Sequence, residues 1–344
     1  FEDGSVLTNG LSAAPAWFRG RDTSPESMVH SAAMFEGDTV VHMACGEAHV
    51  LVVTSSGRVY ARGANAAGQL GIGNKTSTRE FVRVEFVDVH FPGVSTGGIK
   101  SVACGSLHSL ALTATGKLYT WGFGGYGRLG LGHAKDAMLP TPVSEFSQEA
   151  PPKPPGIPDF MWKGRGQVKR VSFVACGAQC TYAIGTIGQE LYFFGITKQS
   201  GEATMRPQLV DGVSGWRCRS VAAGQSSTIL AASYDHPTLI TWGGSPTYGE
   251  LGYGDGKPKS NTRPDEVQDL NGATVLDVAM GYGHSLAIVK YDKKGKSLLS
   301  KMNTHSPNEL DVVAGAEGKK RKTNAHEGAG DNDEEEPQKK KAKK

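Results

Sequence analysis

The sequence of 344 residues has no apolar run near the roughly 18 residues that a membrane-spanning helix needs. It opens at Phe1, with neither an initiating Met nor the charged and apolar stretches of a secretory signal, so a processed, truncated or fragmentary chain is expected. No window of capped helical periodicity is long enough to compete with strand patterns. Five cysteines, Cys45, Cys104, Cys176, Cys180 and Cys218, form no C-x-x-C pair, and no second ligand pair follows Cys176 and Cys180 at zinc-finger spacing. The expectation is buried small thiols in a reducing compartment, with no metal. Enzyme signals are missing too: no Ser or Cys nucleophile has a base beside it, no carboxylate pair stands out, and there is no phosphate loop. No cofactor is expected.

Charge is close to balanced, with 37 Lys and Arg against 34 Asp and Glu. From Lys290 to the end there are 14 basic and 10 acidic residues, which leaves 1–289 with one net negative charge. Basic character therefore belongs to a tail, and a neutral body is poorly suited to binding a nucleic-acid backbone.

Glycine is in excess. Its 46 residues are about 13% of the chain, against roughly 7% on average, and without a G-X-Y period they do not indicate collagen. The excess follows a repeat. Met43-Ala-Cys-Gly-Glu-Ala-His-Val-Leu-Val-Val53 returns as Val102-Ala-Cys-Gly-Ser-Leu-His-Ser-Leu-Ala-Leu112. It returns again as Val174-Ala-Cys-Gly, Val221-Ala-Ala-Gly and Val278-Ala-Met-Gly. The anchor glycines Gly46, Gly105, Gly177, Gly224 and Gly281 are 59, 72, 47 and 57 residues apart. A large residue and glycine follow the first four anchors, at Arg62-Gly63, Trp121-Gly122, Phe194-Gly195 and Trp242-Gly243. Gly-x-Leu-Gly then appears at Gly68–Gly71, Gly127–Gly130 and Gly249–Gly252, and the third unit lacks it.

Alternating Leu110 and Leu112, then Leu118 to Trp121, read as short strands, with Ser56-Gly57, Thr115-Gly116 and Ile187-Gly188 as tight turns. All-β units of roughly 50 residues that cannot bury a core alone stack as propeller blades.

These motifs resemble the regulator of chromosome condensation repeat: A-C-G-x-x-H, then T-x-x-G-x-(L/V)-Y, then W-G-x-x-x-x-G-x-L-G. The resemblance covers about 41–290 and implies an all-β, seven-bladed β-propeller. Residues 1–40 read as a divergent segment, with Trp17, Phe18 and Phe35 able to fill part of a blade, and 291–344 as a disordered charged tail. Seven blades need roughly 350 residues at this period, yet four units and the start of a fifth occupy 41–290. N-terminal blades are expected to be missing, leaving end blades with exposed flanks and a chain that elutes as an oligomer or aggregate.

In a repeat protein, recurring positions hold blades together and positions that break the pattern are the functional candidates. Gly122-Phe-Gly-Gly-Tyr-Gly127 matches G-x-G-x-x-G, but the repeat explains its glycines better than a dinucleotide site does. His49, His108 and His284 share one offset on different blades, so each is expected to bond neighbouring backbone in its own blade. Four features break the pattern. The insertion 143–168 carries Pro151-Pro-Lys-Pro-Pro155, making Pro154 and Pro155 candidates for a projecting contact. The loop Thr197–Arg206 has lost Gly-x-Leu-Gly. Lys257, Lys259 and Arg263 place three cations on one connection, suited to an acidic partner. Phe123, Tyr126 and Tyr248, with Arg128 beside them, lie in loops after the Trp-Gly strands, where aromatics anchor partners.

In the tail, Lys319-Lys320-Arg321-Lys322, Lys339-Lys340-Lys341 and Lys343-Lys344 read as nuclear import signals for an import receptor. The resemblance implies an interaction propeller of the nucleus and of mitosis. It would bind small GTPases, with exchange of guanine nucleotide among its possible activities, and associate with chromatin or microtubules. Similar repeats also form substrate-binding parts of ubiquitin ligases, and a plain scaffold is a third reading.

Overall fold

The computed structural model describes residues 6–10, 26–30, 32–87, 89, 97–148, 168–197, 202–254 and 256–290. Four antiparallel four-stranded sheets succeed one another along the chain. The first, blade A, holds β3 (Val40–Cys45), β4 (His49–Thr54), β5 (Val59–Gly63) and β6 (Thr78–Val84). Blade B holds β7 (Ile99–Cys104), β8 (His108–Thr113), β9 (Leu118–Gly122) and β10 (Ala137–Pro142). Blade C is β11 (Val171–Cys176), β12 (Cys180–Gly185), β13 (Leu191–Gly195) and β14 (Thr204–Leu209). Blade D is β15 (Arg217–Ala223), β16 (Ser227–Ser233), β17 (Pro237–Gly243) and β18 (Asn261–Glu266). Two further sheets have two strands each: β1 (Val6–Gly10) with β2 (Glu26–His30), and β19 (Thr274–Met280) with β20 (Ser285–Lys290), the start of blade E. The fold is the all-β propeller expected from the repeat.

Register is the same from blade to blade. Strand two pairs with strand three so that His49 faces Gly63, His108 faces Gly122 and Cys180 faces Gly195. Gly57, Gly116 and Gly188 close the turns between these strands at φ +81°, +82° and +70°, which a side chain would strain. The turn carbonyls of Gly57 and Gly116 also accept the N–H of Ile99 and Val171, the first strand residues of the next blade.

Apolar burial lies between blades. Leu51 and Val53 pack on Ile99, Val102 and Trp121; Leu110 and Leu112 pack on Val171, Val174 and Phe194. Tyr182 and Ile184 meet Cys218 and Val221, and Ile229 and Ala231 meet Val275 and Val278. Each fully buried aliphatic side chain stabilises by about 1.5–3 kcal/mol, so a blade is stable through its neighbours. Residues 32–40 join this system, because Phe35 is fully buried and packs edge-on against Tyr60 and Phe81.

Candidate functional site: the channel mouth

Each anchor glycine starts a tight loop between strands one and two. Gly46, Gly105, Gly177, Gly224 and Gly281 donate their N–H to the carbonyls of His49, His108, Cys180, Ser227 and His284, at 2.8–3.0 Å. A Cβ on Gly105 would sit 2.1 Å from His108 Cε1 and 2.7 Å from Gly177 O in the next blade. On Gly46 it would sit 2.3 Å from His49 Cε1 and 2.5 Å from Gly105 O. These glycines are required by close approach, within and between blades.

Two of the three histidines, His49 and His108, correct the sequence expectation. They reach forward to the next blade's side chain, where a bond to backbone within the blade was expected. His49 Nε2 lies 2.9 Å from Ser109 Oγ, and His108 Nε2 lies 3.1 Å from Thr181 Oγ1. Each hydroxyl then donates back across the interface: Ser109 to Gln69 O at 2.7 Å, Thr181 to Arg128 O at 2.9 Å. Because the hydroxyl proton is used there, the histidine must donate from Nε2–H, leaving Nδ1 bare and without a partner. Burial pushes His49 down to about 4 and His108 down to about 3, since a proton on Nδ1 would be a charge with no acceptor.

The same loop position supplies Gln69, Arg128 and Glu250, three buried residues of different charge. Each stabilises its own turn: Gln69 Oε1 accepts from Ala67 N at 3.0 Å, Arg128 Nε donates to Gly125 O at 2.9 Å, and Glu250 Oε2 accepts from Tyr248 N at 2.9 Å. Arg128 is 3% exposed, donates to Ala178 O of blade C at 3.3 Å, and lies 4.8 Å from the Phe123 ring centre. It clamps two blades. After Trp121-Gly122 the chain makes one short turn, Gly125–Gly127, with Tyr126 at φ +61°.

The five anchor loops surround a cavity of about 1310 Å³. Cys45, Cys104, Cys176, Glu47, Gln179 and Gln225 line it, together with Phe123, Tyr126, Arg128 and Tyr282. Tyr248 lies beside Tyr282, with ring centres 6.3 Å apart, and Tyr126, Tyr248 and Tyr282 are all exposed. The fold thus brings Phe123, Tyr126 and Arg128 to one cavity, while Tyr248 is not among its lining residues and lies beside Tyr282. Lys257, Lys259 and Arg263 are exposed on the β17–β18 connection and the first turn of β18, and they are not among the cavity-lining residues. The outer strand of blade C begins at Thr204, so the loop read as reaching Arg206 is shorter. Pro154, Pro155 and the tail cations from Lys319 to Lys344 lie outside the described residues.

Cysteine burial also needs correction. Cys180 and Cys218 are buried, but Cys45, Cys104 and Cys176, each just before an anchor glycine, face the cavity. Burial raises the Cys45, Cys104 and Cys176 thiols, so they are weak nucleophiles. Among the described residues, no three His, Cys, Asp or Glu side chains converge as metal ligands. Sequence reasoning missed Glu47, Gln179, Gln225 and Tyr282. They occupy the variable positions of G-x-x-H, so the rule that pattern-breaking positions are candidates would have found them.

The repeated blades, the anchor-loop cavity and the interblade histidines define a regulator of chromosome condensation propeller. Models of this repeat match residues 40–69 and 99–128, and residues 56–112, 115–154 and 238–288. The chain belongs to that family, and within it is an RCC2-like member. It is 36% identical over 331 residues to the RCC2 homolog of Danio rerio, covering 90% of this chain and 61% of the relative. It is 37% identical over 298 residues to human RCC2, covering 80% of this chain and 52% of the relative. The chain therefore spans about half to three-fifths of these relatives. Two solved structures share the fold: human WBSCR16, at TM-score 0.59 and 21% identity over 79% of this chain and 63% of that one, and yeast RCC1 (Prp20) bound to Kap60, at TM-score 0.55 and 18% identity over 77% and 58%. The chain is a β-propeller of this class.

Proposed function

We propose that this chain is an interaction propeller that binds a small GTPase at the channel mouth and regulates its nucleotide state. Its setting is the nucleus, with chromatin or microtubules as mitotic partners. The observation that carries the reading is the placing of pattern-breaking, exposed side chains at one cavity (Tyr126 and Tyr282, with Tyr248 beside the latter), while recurring residues are used up between blades. Exposed tyrosines in concave, partly desolvated settings are the usual anchors of protein interfaces. Release of nucleotide requires only competition for the phosphate and metal pocket of the GTPase, so a surface suffices.

The test is a pull-down with nucleotide-free small GTPases, scored for capture and for release of labelled GDP. Capture that is lost at least tenfold with Tyr126→Ala or Tyr282→Ala supports the reading. Capture of none of the GTPases leaves a scaffold. For the tail, deletion of 317–344 is expected to abolish nuclear accumulation; unchanged localisation removes the import assignment. A ligase-type propeller is the second reading, supported by 30% identity to human HERC2 over 258 residues, which cover 73% of this chain and 5% of that protein.

A further inference from the structure

The loop between strands three and four closes the same turn in blades A and B. Gly68 N–H donates to Asn65 O at 3.0 Å, and Gly127 N–H donates to Gly124 O at 3.1 Å. The buried residue that follows, Gln69 or Arg128, holds the central peptide of that turn. The two hold it by opposite ends. Gln69 Oε1 accepts the N–H of Ala67, whereas Arg128 Nε donates to the carbonyl of Gly125. Ala66 C=O and Ala67 N–H belong to one peptide, as do Gly125 C=O and Tyr126 N–H, so the two peptides face opposite ways. Blade D agrees with blade A, since Glu250 Oε2 accepts the N–H of Tyr248 at 2.9 Å.

The chemistry of the side chain explains the reversal. A guanidinium carries donors and no acceptor, so it can hold a carbonyl but never an N–H. Reversing the central peptide of a type I turn gives type II, whose third residue has positive φ and is usually glycine. Tyr126 is that third residue, at φ 61° and ψ 17°. Among the described residues, Glu36 and Gln189 are the only other non-glycines at positive φ; Ala67 and Tyr248 are not. A bulky side chain is strained in this conformation. The turn has little room to shift, because a Cβ on Gly127 would lie 2.7 Å from Met205 Cα and 2.8 Å from Thr204 O of blade C. The same guanidinium stands 4.8 Å from the Phe123 ring centre and 5.8 Å from that of Tyr126, so it fixes the rings as well as the backbone. Tyr126 lines the cavity, whereas Tyr248, which also precedes its loop glycine, does not.

We propose that Arg128 is a positioning residue: being a donor only, it reverses the Gly125–Tyr126 peptide and thereby presents the Tyr126 ring at the cavity for a protein partner. This rests on the reading of the cavity as the partner site. An aromatic anchor already held in its bound position loses less freedom on association. The side chain at position 128 therefore selects the direction of the ring. A donor turns it toward the partner, and an acceptor, as in blades A and D, turns it away.

Thermal unfolding of the full chain tests the backbone part without any partner. Tyr126→Gly should melt about 2–4 °C above Tyr126→Ala, because glycine alone takes positive φ without strain. In chains that also carry Arg128→Gln or Arg128→Glu, the peptide should return to the blade A orientation and the melting order should reverse. Capture of nucleotide-free small GTPases tests the ring. Arg128→Gln should lose about tenfold, as Tyr126→Ala does, and the double variant should lose no more than either alone. A residue that merely stabilised the fold would give additive losses and leave the melting order unchanged. Equal melting of the Gly and Ala variants beside Arg128, or an order that both acceptor variants leave unchanged, overturns the proposal. So does failure of both acceptor variants to fold, since blades A and D hold those residues at this position. Full capture by Arg128→Gln while Tyr126→Ala is impaired overturns it as well. If no GTPase is captured, the partner reading falls, and the melting order still decides whether Arg128 orients the loop.

Discussion

The interfaces between blades A and B and between B and C differ from that between C and D in their polar half. In the first two, a histidine donates forward to a hydroxyl, which donates back to a loop carbonyl. At the third, Cys180 replaces the histidine, Gly-x-Leu-Gly is gone, and Thr228 Oγ1 bonds Tyr182 OH at 3.0 Å. Blade D keeps half of the relay: Ser285 still donates to Glu250 O at 2.8 Å, but Ser227 stands where a histidine would. Apolar packing continues through all four interfaces, whereas the relay persists fully only where both histidine and loop survive. Histidine, hydroxyl and loop therefore form one unit, and the third interface replaces that unit with a buried tyrosine.

The largest expected effect breaks the comparison at its anchor. Gly105→Ala forces a Cβ against both His108 and Gly177 O, and should destabilise by about 3 kcal/mol or more in chemical denaturation. At Gly177 the same Cβ meets only the Cys180 thiol at 2.6 Å, with the nearest neighbours of blade D at 3.2 Å, so Gly177→Ala should cost about half as much. Equal losses would show that the interfaces do not differ.

Acid comes next. His49 and His108 are held neutral down to about 4 and about 3, while the unfolded chain takes up protons near 6.5. Neither costs stability above that pH, and stability is lost as pH falls toward 3, the loss reaching about 2 kcal/mol per histidine at pH 5. Replacement of both by Gln should flatten denaturation midpoints between pH 7 and 5. At neutral pH, His108→Ala should lose about 1–2 kcal/mol through its bond and packing, and Cys180→Ala less than about 1. Smallest of all, Tyr282→Ala should leave the melting temperature within about 1 °C, because its ring and the neighbouring Tyr248 ring are both exposed.

Much of this was legible beforehand, for physical reasons. The repeat fixed the strands and turns, because a positive-φ turn such as Gly116 and the alternation around Leu110 have few other solutions. Spacing also showed that His49 and His108 belong to different blades. It did not show that each reaches a hydroxyl one blade on, since the partner is about 60–70 residues away and only stacking brings it near. Arg128 looked like a partner contact because its loop also carries Tyr126, yet its guanidinium is turned inward by Gly125 O, Ala178 O and the Phe123 ring. Tyr282 went unnoticed because a one-residue change beside an anchor glycine is a weak signal until five such loops are seen around one cavity.

A double-mutant cycle across the interface between blades B and C probes the division between connecting and contacting residues most directly. His108→Ala, Thr181→Ala and the double variant should show a coupling energy of about 1 kcal/mol in chemical denaturation, while the corresponding cycle of Cys180 and Thr228 shows almost none. Additive losses at His108 and Thr181, or equal coupling at both interfaces, would contradict the assignment of the recurrent histidines to joining blades.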